Sequence, residues 1–202
     1  MGKNIVFDVA GVLVEWDPVN WFAGHYGKEL GPQVLNAAMG SDYWINNVDW
    51  GFVPEEELFR HQEEAYPHLR KELEELDQIW HTILRPKADT EDLIRRLKAG
   101  GHSVYYLSNF PERTFRKVLA AAPVFGLMDG GVVSYKVHQV KPNPDIYQTL
   151  LSRYGLKPED TVFTDDTPVN VEAAQKLGLH AWHFTGAAGL EMYLRNDLGL
   201  KF

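Results

Sequence analysis

The sequence predicts an α/β protein with a doubly wound parallel sheet and a helical cap inserted after the first strand. A short apolar run at 4–7 is typical of a buried strand, and strand and helix patterns alternate from residue 90 to the end of the chain. Such alternation favours a parallel sheet with right-handed crossovers. Residues 15–88 show helical patterning with little strand signal, so we expect a core domain at 1–14 and 89–202 and a cap domain at 15–88.

The individual elements follow from apolar runs and from their start and stop residues. A helix at 90–97 ends before paired glycines, one begins at Pro111, one runs from Pro144 to Gly155, and one covers 169–177. Proline suits the first turn of a helix, and glycine commonly ends one. The cap is expected to contain helices at 55–64 and 69–83. The predicted strands lie at 4–7, 103–107, 131–133, 161–164 and 180–184.

Composition excludes several classes of function. The 202 residues carry a net charge of -8 and no cluster of lysine and arginine, so neither a nucleic-acid nor a membrane partner is expected. The chain has no cysteine, which excludes a disulfide scaffold, a zinc–thiolate site and a cysteine nucleophile. No signal-peptide pattern and no bilayer-spanning run is present, so we expect the protein in the cytoplasm.

Polar side chains follow several predicted strands at the point where each strand ends. Asp8 follows the first strand, Ser108 and Asn109 the second, and the pair Asp165-Asp166 a later one. Taken singly, each is explained as a turn or cap residue. Ligands of open parallel sheets bind just beyond the carboxyl ends of the strands. Together with Lys141, which stands in a turn before a helix, these groups describe a phosphoryl-transfer site.

Four segments resemble the four motifs of the haloacid dehalogenase superfamily, in the same order and at similar spacing. They are FDVAGVL at 7–13, LSN at 107–109, KPNPDIY at 141–147 and FTDDTPVN at 163–170. The insert at 15–88 is similar to the helical cap that lies between the first two motifs. The resemblance covers essentially the whole chain. It implies a Rossmann-like core and a phosphatase that acts on a small phosphorylated metabolite, with sugar-phosphate phosphatases as the most similar group.

The resemblance also implies a metal centre. Asp8 would be the nucleophile that forms a phosphoaspartyl intermediate, and Asp8, Asp166 and the backbone carbonyl of Ala10 would hold Mg²⁺. Asp165 would be a further ligand or a partner of the ligands, and Asn170 would orient them. A cation is physically required, because an anionic carboxylate and an anionic phosphate ester repel each other.

The remaining implied roles concern the phosphoryl group itself. Ser108 would donate a hydrogen bond to a phosphoryl oxygen, with help from the backbone amide of Asn109 near a helix start. Lys141 would supply positive charge both to Asp8 and to the transferring phosphoryl group.

Ala10 departs from the pattern of the superfamily. Its phosphatases usually carry a second aspartate two residues after the nucleophile, which protonates the leaving group and then activates water. Alanine transfers no proton, and general acid–base help is typically worth about 10²–10⁴-fold in rate. The enzyme is therefore slow, prefers good leaving groups, or takes its acid from elsewhere. Glu15, Asp17 and His25 follow the motif closely, although an exposed loop position is the more ordinary interpretation of each.

Other functions stay open at this point. A haloacid dehalogenase also uses an aspartate nucleophile, but it needs no metal, and Asp165-Asp166 argues against it. Phosphonoacetaldehyde hydrolases have alanine at the position of Ala10, and they add a cap lysine; Lys28 and Lys71 lie in the insert without a motif around them. A catalytically impaired phosphate-binding protein is the third alternative.

The insert holds five of the six tryptophans: Trp16, Trp21, Trp44, Trp50 and Trp80. Aromatic rings there either stack on a substrate or form the core of the cap itself, and we favour the second interpretation.

Overall fold

The structure is a computed structural model that describes residues 3–40 and 43–202. Its centre is a five-stranded sheet in the order β3-β2-β1-β4-β5, in which every neighbouring pair is parallel. The predicted α/β class and doubly wound parallel sheet are confirmed, and each predicted strand end lies within one residue of the observed one. The strands are β1 (Asn4–Phe7), β2 (Ser103–Ser108), β3 (Gly130–Val133), β4 (Thr161–Asp165) and β5 (His180–His183).

The segment between β1 and the rest of the sheet is helical, as its patterning predicts. Its helices are α1 (Pro18–Tyr26), α2 (Gly31–Met39), α3 (Glu55–Ala65) and α4 (Arg70–Ile79). A π-helical turn at Trp44–Val48 and 3-10 turns at Pro67–Leu69 and Trp80–Ile83 join them. The single helix predicted for 69–83 is thus divided between α4 and the last of these turns. The separation into a core domain and a cap domain with the bounds given above stays a prediction.

Helices cover the sheet in the second half of the chain. Pro144 occupies the first turn of its helix, and Gly155 ends that helix with a left-handed φ of +62°, as expected from the residue types. The helices are α5 (Ala88–Ala99), α6 (Glu112–Ala121), α7 (Ser134–Val137), α8 (Pro144–Tyr154), α9 (Pro168–Lys176) and α10 (Ala187–Met192). Over the described ranges, none of the helices has the length and apolar character needed to cross a bilayer.

The side chains of β1 alternate between two hydrophobic clusters. Ile5 and Phe7 belong to a large cluster that includes residues of α5 and of the helical insert, whereas Val6 belongs to a second cluster with residues of α8 and α9. All three side chains are fully buried. A strand buried on both faces reads as a continuous apolar run, and this is why the run at 4–7 lacks alternation.

The strand order places the site. β1 lies at the centre, with β2 on one side and β4 on the other, so the order of the strands reverses between β1 and β4. Phe7 pairs with Thr164, and the backbone N–H of Asp8 donates to the carbonyl of Thr164 at 2.9 Å. The residues that follow these two strands are therefore neighbours at the switch point, where doubly wound sheets bind their ligands.

A buried carboxylate attaches the insert to α6. Glu55 accepts hydrogen bonds from the backbone N–H of Thr114 at 2.7 Å, from its hydroxyl at 2.6 Å and from the indole N–H of Trp80 at 3.1 Å. Thr114 lies in the first turn of α6, so Glu55 satisfies a helix N-terminus across two parts of the chain. No local pattern in the sequence marks this contact.

Candidate active site

Asp8 stands at the end of β1, and its carboxylate is held in one orientation. Oδ1 accepts from the backbone N–H of Val9 and from the hydroxyl of Ser108, both at 2.6 Å, and lies 2.8 Å from the ammonium of Lys141. Asp8 is buried. Burial raises the pKa of Asp8 to about 7, although the positive charge of Lys141 lowers it in part. A cation that occupies the site would favour the ionised form, which is the nucleophilic one.

Lys141 is the buried positive charge of the site. Its Nζ lies 2.8 Å from Asp8 Oδ1 and 2.6 Å from Asp165 Oδ2. Burial would lower the pKa of this ammonium, but the charges and hydrogen bonds of the two carboxylates outweigh burial and raise the pKa above its usual value. Lys141 therefore stays charged at neutral pH, as its implied role requires.

The two acidic residues at the end of β4, Asp165 and Asp166, have different surroundings. Asp165 is fully buried, and it accepts from Lys141, from the backbone N–H of Thr167 at 2.8 Å and from the side-chain amide of Asn170 at 3.1 Å on each oxygen. Asp166 is half-buried, and burial followed by the charge of Asp165 raises its pKa. Asp165 thus organises its neighbours, whereas the Asp166 carboxylate faces fewer protein donors.

The Asp166 carboxylate packs directly against the backbone of Gly11. A Cβ built on Gly11 would stand 2.0 Å from Asp166 Oδ2, and the backbone of Gly11 has a left-handed φ of +77°. Both observations require glycine, because a side chain would collide with the carboxylate and strain the turn. Gly11, three residues after Asp8, is therefore part of the site.

The donor set fits a hard divalent cation. Asp8, Asp165 and Asp166 each offer a carboxylate oxygen, and these oxygens lie within 4.8 Å of one another. In the part of the chain that the structure describes, Lys141 is the one cationic side chain paired with them, so a single ammonium faces three carboxyl groups. Unbalanced buried carboxylates are costly, and oxygen ligands suit Mg²⁺.

Asn109 acts on Lys141 through its side chain. Its Oδ1 accepts from the backbone N–H of Lys141 at 2.8 Å, and its Nδ2 donates to the Lys141 carbonyl at 3.0 Å. The sequence predicted a backbone contact of Asn109 with the phosphoryl group, which stays a prediction. The pairing with Lys141 is an additional role that the motif does not reveal.

A cavity of about 480 Å³ opens over these residues. Asp8, Ala10, Ser108, Asn109, Lys141 and Asp166 line one side of it. The insert supplies six further lining residues: Trp16, Met39, Trp44, Asp49, Trp80 and Leu84. Its size is that of a small-molecule site, so the insert and the sheet together enclose space for a substrate.

The three acids suggested by the sequence do not line this cavity. Glu15 pairs with Arg85 at 2.6 Å, and Asp17 accepts from the backbone N–H of Asn20 at the start of α1. His25 stacks on Trp21. Sequence reasoning missed Asp49, a buried carboxyl group in the cavity wall, because it stands in a stretch without a motif.

The tryptophans of the insert divide into two groups. Trp16 and Trp44 both meet Trp80 edge to face, with ring centroids 6.5 Å and 5.1 Å apart, and all three line the cavity. Trp21 and Trp50 stack elsewhere. The cavity tryptophans therefore pack against one another, as core residues of the insert do, and they also leave apolar surface on the cavity wall.

Comparison with known families agrees with this geometry. The family model for haloacid dehalogenase-like hydrolases matches residues 3–178. The chain belongs to this family, and the predicted membership is confirmed.

Two curated relatives match over most of their own length. The sesquiterpene phosphatase astK of Aspergillus oryzae is 26% identical over 197 residues, which are 98% of this chain and 97% of the relative. The phosphorylated carbohydrates phosphatase of Thermotoga maritima is 24% identical over 189 residues, 88% of this chain and 82% of the relative.

Among solved structures, a HAD-family enzyme of Bacteroides thetaiotaomicron in complex with magnesium and inorganic phosphate superposes with a TM-score of 0.74. The identity is 24%, and the match covers 92% of this chain and 96% of the other. This likeness supports the fold.

Proposed function

We propose that this protein is a magnesium-dependent phosphatase that hydrolyses a small phosphate ester through a phosphoaspartyl intermediate on Asp8. The observation that carries the proposal is the placement of the Asp8 carboxylate beside a buried ammonium and within reach of a second carboxylate, in the wall of a cavity. Both curated relatives are named as phosphatases, which supports the same reaction.

In this proposal the carboxylates of the site bind the metal or position its neighbours. Asp8, Asp166 and the carbonyl of Ala10 would hold Mg²⁺, which neutralises charge on the phosphoryl oxygens. Asp165 would serve mainly to hold Lys141 and Asn170, since its oxygens already accept their hydrogen bonds.

The reaction has two steps. The Asp8 carboxylate attacks phosphorus and the ester oxygen leaves; water then attacks the phosphoaspartate, which releases phosphate and restores Asp8. Ser108 donates to a phosphoryl oxygen, and Lys141 stabilises the charge that develops there.

The alternatives find less support. Lys28 and Lys71 are exposed, and neither lines the cavity, so neither is placed to form a Schiff base there. A dehalogenase has no need of the acidic cluster around Asp166, and a pure binding protein has no need of an oriented nucleophile.

For the substrate we propose an ester of an apolar alcohol. The part of the cavity lining that the insert supplies is largely aromatic and aliphatic, and the indole N–H groups of Trp44 and Trp80 are already bonded to Asp49 and Glu55. Sugar hydroxyls buried there would lose hydrogen bonds to water without replacement. The Aspergillus relative, named as a sesquiterpene phosphatase, supports this class. A sugar phosphate is the second candidate, because the Thermotoga relative is named for carbohydrates.

A direct assay tests both parts of the proposal. p-Nitrophenyl phosphate should be hydrolysed with Mg²⁺ and not after chelation, and a prenyl phosphate should show a higher kcat/KM than a hexose 1-phosphate. If none of these esters were hydrolysed, the proposed phosphatase activity would be refuted. The opposite order of the last two esters would refute only the apolar substrate class.

A further inference from the structure

Asp49 is the ionisable group of the cavity wall that the proposed mechanism does not use. The titratable side chains that line the cavity, among the described residues, are Asp8, Asp49, Lys141 and Asp166. Asp8 is the nucleophile, Asp166 is assigned to the metal, and Lys141 is a permanent cation. Ala10 occupies the position that normally carries the acid. The reaction needs a proton donor, and one carboxyl group remains.

The position of Asp49 suits proton transfer. It follows the π-helical turn Trp44–Val48 in the insert and is 9% exposed. The indole N–H of Trp44 donates to its Oδ1 at 3.1 Å. Within the described ranges, no donor bonds to Oδ2 of Asp49. Oδ2 is also not one of the fully buried side-chain atoms that lack a partner, so it keeps some exposure. Asp49 thus has an anchored oxygen and a second one available at the cavity wall.

We infer that Asp49 replaces the missing aspartate at position 10, protonating the leaving oxygen and then activating the hydrolytic water. The inference rests on the proposed phosphatase function. As Asp8 attacks phosphorus, the bond between phosphorus and the ester oxygen breaks, and that oxygen takes the proton of the Asp49 carboxyl group to leave as an alcohol. In the second step the Asp49 carboxylate takes a proton from water while the water oxygen attacks phosphorus. The bond from phosphorus to Asp8 breaks, and Asp49 is again protonated.

The charges around Asp49 support this cycle. The pKa of Asp49 is raised to about 7, and burial is the largest cause. The negative charges of Glu55 and Asp8 also raise this pKa, whereas the hydrogen bond from Trp44 and the charge of Lys141 lower it. A group with a pKa near 7 exchanges protons readily in both directions at neutral pH. Glu55 is bonded to α6 and Trp80 and does not line the cavity, so it does not compete for this role.

The test is a comparison of leaving groups. Asp49→Asn should lower kcat/KM for an alkyl ester, such as phenethyl phosphate, by about 10²–10⁴-fold, and that for p-nitrophenyl phosphate much less, because a phenolate leaves without a proton. Glu15→Gln is the matched control, since it removes an insert carboxylate outside the cavity; both esters should keep their rates. The alkyl rate of the wild type should also fall as pH rises above about 7, and the decline should be absent in Asp49→Asn.

A rescue variant separates chemistry from structure. Ala10→Asp in the Asp49→Asn background should restore much of the alkyl rate, because it returns a carboxyl group to the usual position. Equal losses on both esters in Asp49→Asn without rescue, or no loss on the alkyl ester, would overturn the role of Asp49 and leave the phosphatase intact. A wild type that hydrolyses neither ester with Mg²⁺ would overturn the phosphatase and, with it, this inference.

Discussion

The side-chain amide of Asn109 pairs with the backbone of Lys141 through two hydrogen bonds, one in each direction, at 2.8 Å and 3.0 Å. The pairing ties the end of β2 to the loop before α8, which are 32 residues apart in sequence. The Lys141 side chain in turn bridges Asp8 and Asp165. The position of the buried ammonium therefore depends on an amide that bonds to the Lys141 backbone rather than to Asp8 or Asp165.

Removing this amide should misplace Lys141. We expect Asn109→Ala to lower kcat by up to about thirtyfold, because it removes two hydrogen bonds worth about 1 kcal/mol each. Asn109→Asp keeps the acceptor for the Lys141 N–H and loses the donor, so its loss should be smaller. Steady-state kinetics on p-nitrophenyl phosphate measure both. A purely phosphate-binding Asn109 would instead raise KM and leave kcat unchanged.

A substitution of Asp8 tests the proposed covalent mechanism most directly. Asp8→Asn should abolish turnover while circular dichroism shows a folded protein, because the amide keeps the shape but attacks phosphorus poorly. Acid-quenched wild type should yield a phosphorylated peptide that contains Asp8, and the variant should not. Retention of most of the wild-type rate by Asp8→Asn would contradict a covalent mechanism.

Metal removal should stop the reaction and lower stability. We expect EDTA to abolish hydrolysis and Mg²⁺ to restore it, and Mg²⁺ should raise the Tm because it binds the folded chain. Asp166→Asn should lose this rise in Tm. Asp160→Asn, on the surface beside Lys3, should keep it. Unchanged activity after exhaustive chelation would rule out the metal.

Gly11 should be needed for metal binding rather than for folding alone. Gly11→Ala places a Cβ 2.0 Å from Asp166 Oδ2, so the carboxylate must move, and Mg²⁺ affinity should fall at least about tenfold. Gly101→Ala is a matched control, because Gly101 has a similar φ of +81° with open space around its Cβ. It should cost stability without a change in Mg²⁺ affinity measured by calorimetry. Equal affinities in the two variants would contradict the close approach.

Glu55 should matter for stability. Glu55→Ala leaves the buried N–H and hydroxyl of Thr114 and the indole of Trp80 without their acceptor, so we expect a loss of about 2–4 kcal/mol in the free energy of unfolding. Glu56→Ala is the control, since this exposed residue pairs with Arg113 at 3.3 Å and should change stability by less than about 1 kcal/mol. Urea denaturation measures both, and equal effects would show that Glu55 has no special role.

The sequence by itself determined the class of fold and predicted polar residues that the structure brings together in one cavity. Buried strands such as 4–7 are local apolar runs, and helix limits such as Pro144 and Gly155 act through their own backbone, so both are readable along the chain. Asp8, Ser108, Lys141 and Asp166 could be found because each stands at a strand end or turn within a recognisable motif.

Only the tertiary structure decided which of these side chains come into contact and which other residues line the cavity with them. The strand order sets β1 beside β4 and so brings the carboxylate of Asp8 to those of Asp165 and Asp166. The contacts of Asn109 with Lys141, of Glu55 with Thr114 and of Asp49 with the cavity join segments far apart in sequence. Such contacts depend on how whole helices and strands pack, and no local periodicity or motif encodes that packing. A carboxyl group such as Asp49 becomes a candidate acid only when folding buries it in the wall of the cavity that Asp8 also lines.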